Sequence, residues 1–330
     1  MKILSLALAA SVAALGFVAP ASAADTTLRI SLQTSLKSHL GQNLTMFKTE
    51  VEKASAGAIN VEIYDSATLY KDNEVPSAVG SGAIEAGVAS LTRYVGDSPL
   101  VDIMYQPFLF DTDAKVRKAV APGSPVRGPI DAAIAETGST VLWWQAYGGS
   151  VFLSNGGPIK TPEELKGKKV RVFGKTLGEF VQVAGGAPTV ISGSEQYLAY
   201  QRGTVDIGMT GVSGVESRKL WEVMDTITVS NNAVIEFIVV VNTEFWEGLP
   251  ADRRAIIETA AKNAEASLRD SMAQIEADAY AKSVANGMTV YQPTEPEMAA
   301  WKAVSQPVYD TFLKVNGAAG KAMLDAARAF

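Results

Sequence analysis

The chain has 330 residues, of which 47% are hydrophobic and 19% charged, a balance that suits a globular protein of one large or two ordinary domains. It contains no cysteine and one histidine, which excludes thiol chemistry, disulfides and multi-histidine metal sites. Twenty-nine basic against 35 acidic residues give a formal charge of -6, so the chain offers no general nucleic-acid surface, although a local basic pocket for an anion remains compatible with it.

Residues 1–23 combine Lys2, the apolar run "ILSLALAASVAALGFVAP" and "ASA" at Ala21 to Ala23. Small residues at both recognition positions after an apolar core predict a cleaved export signal, with the mature chain starting near Ala24 outside the cytoplasm; a membrane anchor is the alternative.

"TLRISLQT" alternates Leu28, Ile30 and Leu32 and predicts a strand. Leu40, Leu44, Phe47, Val51 and Ala54 then recur at helical spacing up to the stop at Gly57, and "INVEIYDSA" alternates again. A βαβ opening implies parallel strands and an α/β fold. The pattern continues through "SAVGSGAIEAGVASL", "GSTVLWWQA", "KKVRVFG", "LGEFVQVAGGA" and "RGTVDIGMTG". "NAVIEFIVVVN" is long and apolar, as expected of a strand at a sheet centre or between two domains. From Pro250 to about Asn286 the sequence predicts one helix, stopped at Gly287; at about 1.5 Å per residue it would exceed about 50 Å and span both domains.

Catalytic signatures are missing from this sequence. No G-x-S-x-G, H-E-x-x-H or Walker pattern occurs, and "GSGAIEAG" and "YGGS" lack phosphate-loop spacing, so no cofactor is expected. His39 follows the first strand, where a ligand-contacting loop residue, a helix cap or a surface residue would all fit. In "ELKGKKVRVFG", Val170 and Val172 share one strand face and leave Lys169 and Arg171 on the other. Two readings follow: a solvated edge strand, or a guanidinium at the cleft end of the strand that grips a carboxylate through two parallel hydrogen bonds. Alternation puts Trp143 and Trp144 on opposite faces; Tyr147 or one tryptophan could line a cleft, or all three could pack in the core.

Several segments together resemble the periplasmic solute-binding proteins of tripartite ATP-independent periplasmic (TRAP) transporters, the C4-dicarboxylate-binding DctP type. They are "SLQTSLKSHLGQNLTMFKTEVEKASAGAINVEIYDSATLYKDNEV", "YQPFLF", "NGGPIKTPEELKGKKVRV", "SEQYLAYQRGTVDIGMT" and "VVNTEFWEGLP" before the long helix. The resemblance implies two α/β domains around a cleft, joined by hinge strands and braced by that helix. The first would comprise residues 24–148, completed by about 233–265; the second would comprise 149–232, completed by about 266–330. It also implies a periplasmic protein without catalysis, which captures a small organic carboxylate and delivers it to the membrane permease. A monomer is the simpler expectation, and an exposed C-terminal helix could support a dimer. A ligand-sensing subunit and a secreted enzyme acting on small carboxylates are the rival functions.

In the family, the arginine of the "LKGKKVRV"-type motif pairs with the substrate carboxylate, and Arg171 occupies that position. Glu74, Arg93, Thr210 and Asn232 match regions that approach the ligand, and Tyr147 joins them as a cleft aromatic. The chain departs from relatives with a second arginine before "F-T-N", because Ser150 and Val151 stand there. Arg93 could supply a second positive contact from the opposite domain.

Overall fold

The computed structural model describes residues 26–330; the expected export signal lies outside the described residues. The first lobe opens with β1 (Thr26–Ser31), α1 (His39–Ala54), β2 (Ile59–Tyr64), α2 (Val75–Gly80) and β3 (Ala86–Ser90). Two 3₁₀ segments, Leu91–Tyr94 and Pro99–Tyr105, then lead to α3 (Asp113–Val120) and α4 (Arg127–Ala135). The 16-residue β4 (Ser139–Ser154) passes into the second lobe, built from β5 (Lys169–Val172), α5 (Lys175–Val183), β6 (Ala187–Val190), α6 (Gln196–Gln201), β7 (Ile207–Gly211), α7 (Val212–Ser217) and β8 (Thr226–Thr228). The chain returns along β9 (Val234–Asn242) to α8 (Thr243–Gly248), and α9 (Ala251–Ala285) runs back across both lobes before β10 (Thr289–Tyr291), α10 (Glu295–Ala303) and α11 (Gln306–Arg328).

In the first lobe the strand order is β2-β1-β3-β9-β4, with β1, β2 and β3 parallel and β9 antiparallel to both neighbours. The second lobe uses the distal end of β4, flanked by β7 on one side and β8 on the other, with β5 and β6 parallel beyond β7. One strand therefore belongs to both sheets, and β9 runs beside it from Ser139 to Gly149. Central placement explains the continuous apolar run of β9: Ile235 and Phe237 to Val241 are buried on both faces of the strand. The strand predicted at "GSTVLWWQA" continues through "YGGS", because Gly148, at φ 98°, absorbs a register shift without ending the ladder.

Both tryptophans of β4 are core residues on opposite faces, as alternation requires. Trp143 stacks on Phe47 of α1 at 4.6 Å and donates to Asn43, whereas Trp144 donates to Asp131 of α4 and lies under the Arg127 guanidinium. Helix α9 joins the lobes physically. Its Ala264 carbonyl accepts from Asn43 of α1, its Glu276 accepts from the Gly149 backbone N–H, and its Lys282 pairs with Glu216 of α7. At its middle, Arg269 makes two hydrogen bonds, 2.5 and 2.8 Å, to the fully buried carboxylate of Glu236 on β9. Among the described residues no helix is long and apolar enough to cross a membrane, and no group of His, Cys, Asp and Glu could hold a metal ion.

Candidate functional site

The carboxyl ends of the parallel strands in both lobes converge on one cavity, the place where open α/β sheets put their ligands. Its first-lobe wall comes from Gln33 after β1, Asp72 before α2, and Ser90 and Arg93 at the end of β3; the second lobe supplies Arg171, Phe173, Gly193, Gln196, Thr210 and Arg218. Tyr147, Ile235 and Phe237, on the two strands that join the lobes, form the floor. The gap between these walls is narrow: about 300 Å³ including its opening to solvent.

Arg171 is the most demanding group in this wall. Its strand lies between β6 and β7, not at a sheet edge, which removes the solvated-edge reading, and the residue is 2% exposed. Nε and Nη2 donate to the Ile191 carbonyl at 3.0 and 2.8 Å, and Nη1 donates to the Met209 carbonyl. Three of five N–H groups are thus held by carbonyls, and the Tyr200 hydroxyl also interacts with the guanidinium. The guanidinium also sits over the Phe173 ring at 5.7 Å. Burial, with repulsion from Arg218 and Arg93, lowers its pKa from the ordinary arginine value. Among the described residues no carboxylate pairs with it, although a buried guanidinium needs a counter-charge to offset its lost hydration. A carboxylate would supply that counter-charge and accept from the guanidinium.

The remaining sequence-derived candidates separate clearly. Arg93, Tyr147 and Thr210 line the same cavity as Arg171. Arg93 donates to Asp72 at 2.5 Å, and Asp72 also accepts from the Ser90 N–H at 2.7 Å, so the Arg93 charge is matched within the first lobe. Glu74 is exposed and bonds the Lys71 N–H at 2.7 Å, outside the cavity wall. Asn232 is fully buried, but its Oδ1 accepts from Ser150 and Ser230 at 2.8 and 2.7 Å, which ties the crossing strands together behind the cavity. His39 is neither the helix cap nor a surface residue. Ser38 caps α1 by accepting from the Gly41 N–H, while the imidazole packs 5.0 Å from Tyr147 with Nε2 buried and unpartnered. Burial lowers its pKa to about 4.

Sequence reasoning missed Gln33, Asp72, Gln196 and, above all, Arg218. Arg218 follows α7 in "GVESRKLW", where it reads as an ordinary exposed helix end. Its Nη1 instead donates to the Tyr147 hydroxyl at 2.7 Å. The lobes meet closely around this point. A Cβ on Gly193 would stand 2.6 Å from Gln33 Oε1, across the cleft, and 2.8 Å from Arg218 Nη2. Gly174 approaches Thr92 of the first lobe in the same way, and Lys71 and Glu195 pair across the rim at 2.9 Å.

The sequence model of bacterial extracellular solute-binding proteins, family 7 (DctP), matches residues 30–315. The chain belongs to this family. It is 29% identical to the C4-dicarboxylate-binding periplasmic protein DctP of Rhodobacter capsulatus over 334 aligned positions, covering 99% of this chain and 98% of that protein. Among solved structures, it resembles a TRAP periplasmic solute-binding protein from Sulfurospirillum deleyianum with bound succinate (TM-score 0.86, 24% identity, 93% of this chain and 99% of the other). It also resembles the Bordetella pertussis receptor DctP7, which binds pyroglutamic acid (TM-score 0.86, 21% identity, 92% and 99%). The fold is therefore the two-lobed one of TRAP solute-binding proteins, with hinge strands and a long bridging helix. DctP-family proteins are extracytoplasmic, and this places the present member outside the cytoplasm.

Proposed function

We propose that this DctP-family protein captures a small organic carboxylate between its lobes and presents it to a TRAP permease in the membrane. The single observation that carries this reading is the buried Arg171 guanidinium, which has three N–H groups fixed by carbonyls and no protein carboxylate opposite it. The lobes correspond to residues 24–148 with about 233–265, and 149–232 with about 266–330. Arg171 and Thr210 contribute from the second lobe, Arg93 from the first, and Tyr147 from the connecting strand. A ligand that touches both lobes binds the closed form better than the open one and shifts the population toward it. The Arg171 pair contributes orientation more than net affinity, since both charges lose hydration. Relatives with printed ligands fit this reading: the Sulfurospirillum protein holds succinate and the Bordetella protein binds pyroglutamic acid.

A thermal-shift screen of the chain from Ala24 onward against small organic acids, followed by calorimetric titration, tests this. A ligand that binds the native state raises the melting temperature. Hits should be carboxylates, and Arg171→Ala should weaken them by about 100-fold or more, as for loss of a charge-assisted contact. Hits that bind Arg171→Ala unchanged would move the anion site elsewhere.

A further inference from the structure

Two polar side chains on opposite lobes converge on one point of the cleft. Gln33, in the loop after β1, is 4% exposed, and its Oε1 is buried without a hydrogen-bond partner. An acceptor left in that state costs about 1–3 kcal/mol, which a donor reaching it would recover. Arg218 of the second lobe carries such a donor. Its Nη1 donates to the Tyr147 hydroxyl at 2.7 Å, and its Nη2 lies 2.8 Å from the point that a Gly193 Cβ would occupy. Gln33 Oε1 lies 2.6 Å from that same point, so the two atoms are no farther apart than those distances laid end to end. Gly193, having no side chain, leaves the space between them open. A second glycine does the same behind Arg218. A Cβ on Gly214 would stand 2.6 Å from the Tyr147 hydroxyl, 2.7 Å from Thr210 Oγ1 and 3.0 Å from Arg218 Nη1, so its bare Cα lets the three groups gather. Tyr147 belongs to β4, the strand common to both sheets, and its ring packs 5.0 Å from both His39 and Phe237.

Resting on the carboxylate-capture reading above, we propose that Gln33 and Arg218 are the two halves of an interlobe latch. On closure Arg218 Nη2 donates to Gln33 Oε1, and this bond holds the lobes together whichever acid lies on Arg171. Tyr147 is a positioning residue, since its hydroxyl fixes the guanidinium where it faces the first lobe. Opening returns Gln33 to water; closing strips that water, and without Arg218 the closed form would carry an unpaired acceptor. The other interlobe contact, Lys71 with Glu195, lies at the rim with side chains 46% and 50% exposed, where solvent and salt screen it. The latch is enclosed and escapes that screening. A neutral amide opposite the guanidinium also makes a weaker bond than a carboxylate would, which leaves closure dependent on the ligand.

The chain has no cysteine, so Lys37→Cys and Arg202→Cys, at exposed positions of the first and second lobes, take a pair of spin labels without background. Pulsed electron resonance on the ligand-free protein from Ala24 onward then reads the ratio of closed to open forms. Gln33→Glu turns the latch into an ion pair and should raise that ratio about 10-fold or more, and adding Arg218→Met should cancel the gain. No shift in Gln33→Glu, or a shift that survives Arg218→Met, would overturn the latch. Tyr147→Phe, which keeps the ring, should reverse part of the same gain, and it carries the test should a melting curve show that Arg218→Met does not fold. Calorimetric titration with succinate and pyroglutamate, the acids of the two related structures, supplies the second readout. Gln33→Leu should weaken both by the same factor, about 10-fold, because the latch does not touch the ligand. A loss confined to one acid would make Gln33 a ligand contact and overturn the proposal. Binding indifferent to Arg171→Gln would remove the capture reading instead, while the ligand-free ratio would still decide the latch.

Discussion

Gly174 offers a way to separate lobe closure from folding. Its φ is -159°, extended backbone that any residue adopts, so Gly174→Ala introduces no backbone strain within the second lobe. The three atoms nearest the added Cβ all belong to Thr92 of the opposite lobe: it would lie 3.0 Å from Thr92 Cβ and 3.3 Å from Thr92 Cγ2, with Oγ1 closer still. Rotating Thr92 moves Oγ1 away but leaves its Cβ too near, so the lobes must separate by several tenths of an ångström. Overpacking of this kind costs about 1–3 kcal/mol, and here the cost falls on the closed form alone. At about 1.4 kcal/mol per tenfold, the ligand's Kd should rise about 5- to 150-fold, while the unliganded melting temperature falls only where the closed form is populated without ligand. Titration of the best acid from the screen, with X-ray scattering before and after ligand addition, measures this. Gly174→Ala combined with Thr92→Gly should restore both tight binding and the compact liganded profile. An unchanged Kd for Gly174→Ala would show that the Gly174 and Thr92 surfaces need not meet for binding, and the closure argument would fail.

Two buried groups give opposite pH slopes. Burial raises Asp102 to about 6, in the crevice it shares with Thr176, Glu179 and Phe312; the native state then holds more protons than the unfolded chain between about pH 4 and 6, and stability falls as pH rises. His39, lowered to about 4, does the reverse, since the unfolded chain holds more protons up to about pH 6.5. Asp102→Asn should leave the His39 slope exposed and gain about 2–3 kcal/mol relative to the parent between pH 4 and 7, as urea unfolding across that range would register; parallel curves would refute it. Arg269→Met, which strands the Glu236 carboxylate, should cost about 3–5 kcal/mol in the same assay, and adding Glu236→Leu should recover most of it. Lys71→Ala removes an ion pair whose side chains are 46% and 50% exposed, so ligand affinity should change by less than about fivefold, and less again in high salt.

The elements were legible wherever one face of the chain meets one environment. The alternation in β1 and β2, the helical spacing in α1, the apolar run of β9 and the capless length of α9 all reported their own burial. Arg171 was legible only as an anomaly between two valines, and two readings of it survived until β6 and β7 were seen on either side. Arg218 was illegible because its role depends on Tyr147, which reaches it from another element. Asn232 and Glu74 illustrate the converse: polar residues in plausible segments whose side chains turn to crossing-strand hydroxyls and to a local backbone N–H. Patterning reveals which way a strand faces; it does not reveal what the neighbouring element supplies.

The position of β9 also governs when the first lobe can form. Val241 pairs with Ala86 on one side and Thr140 on the other, so β3 and β4, which precede it by most of the second lobe, are joined only after β9 arrives. An amino-terminal fragment holds β1, β2 and β3 with the inner edge of its sheet unpaired. Such non-local pairing slows folding, because the intervening loop entropy is lost before any contact is gained. For a chain exported from the cytoplasm such a delay is useful, because the first-lobe sheet cannot be completed before β9, which ends at Asn242 of the 330 residues, has been made.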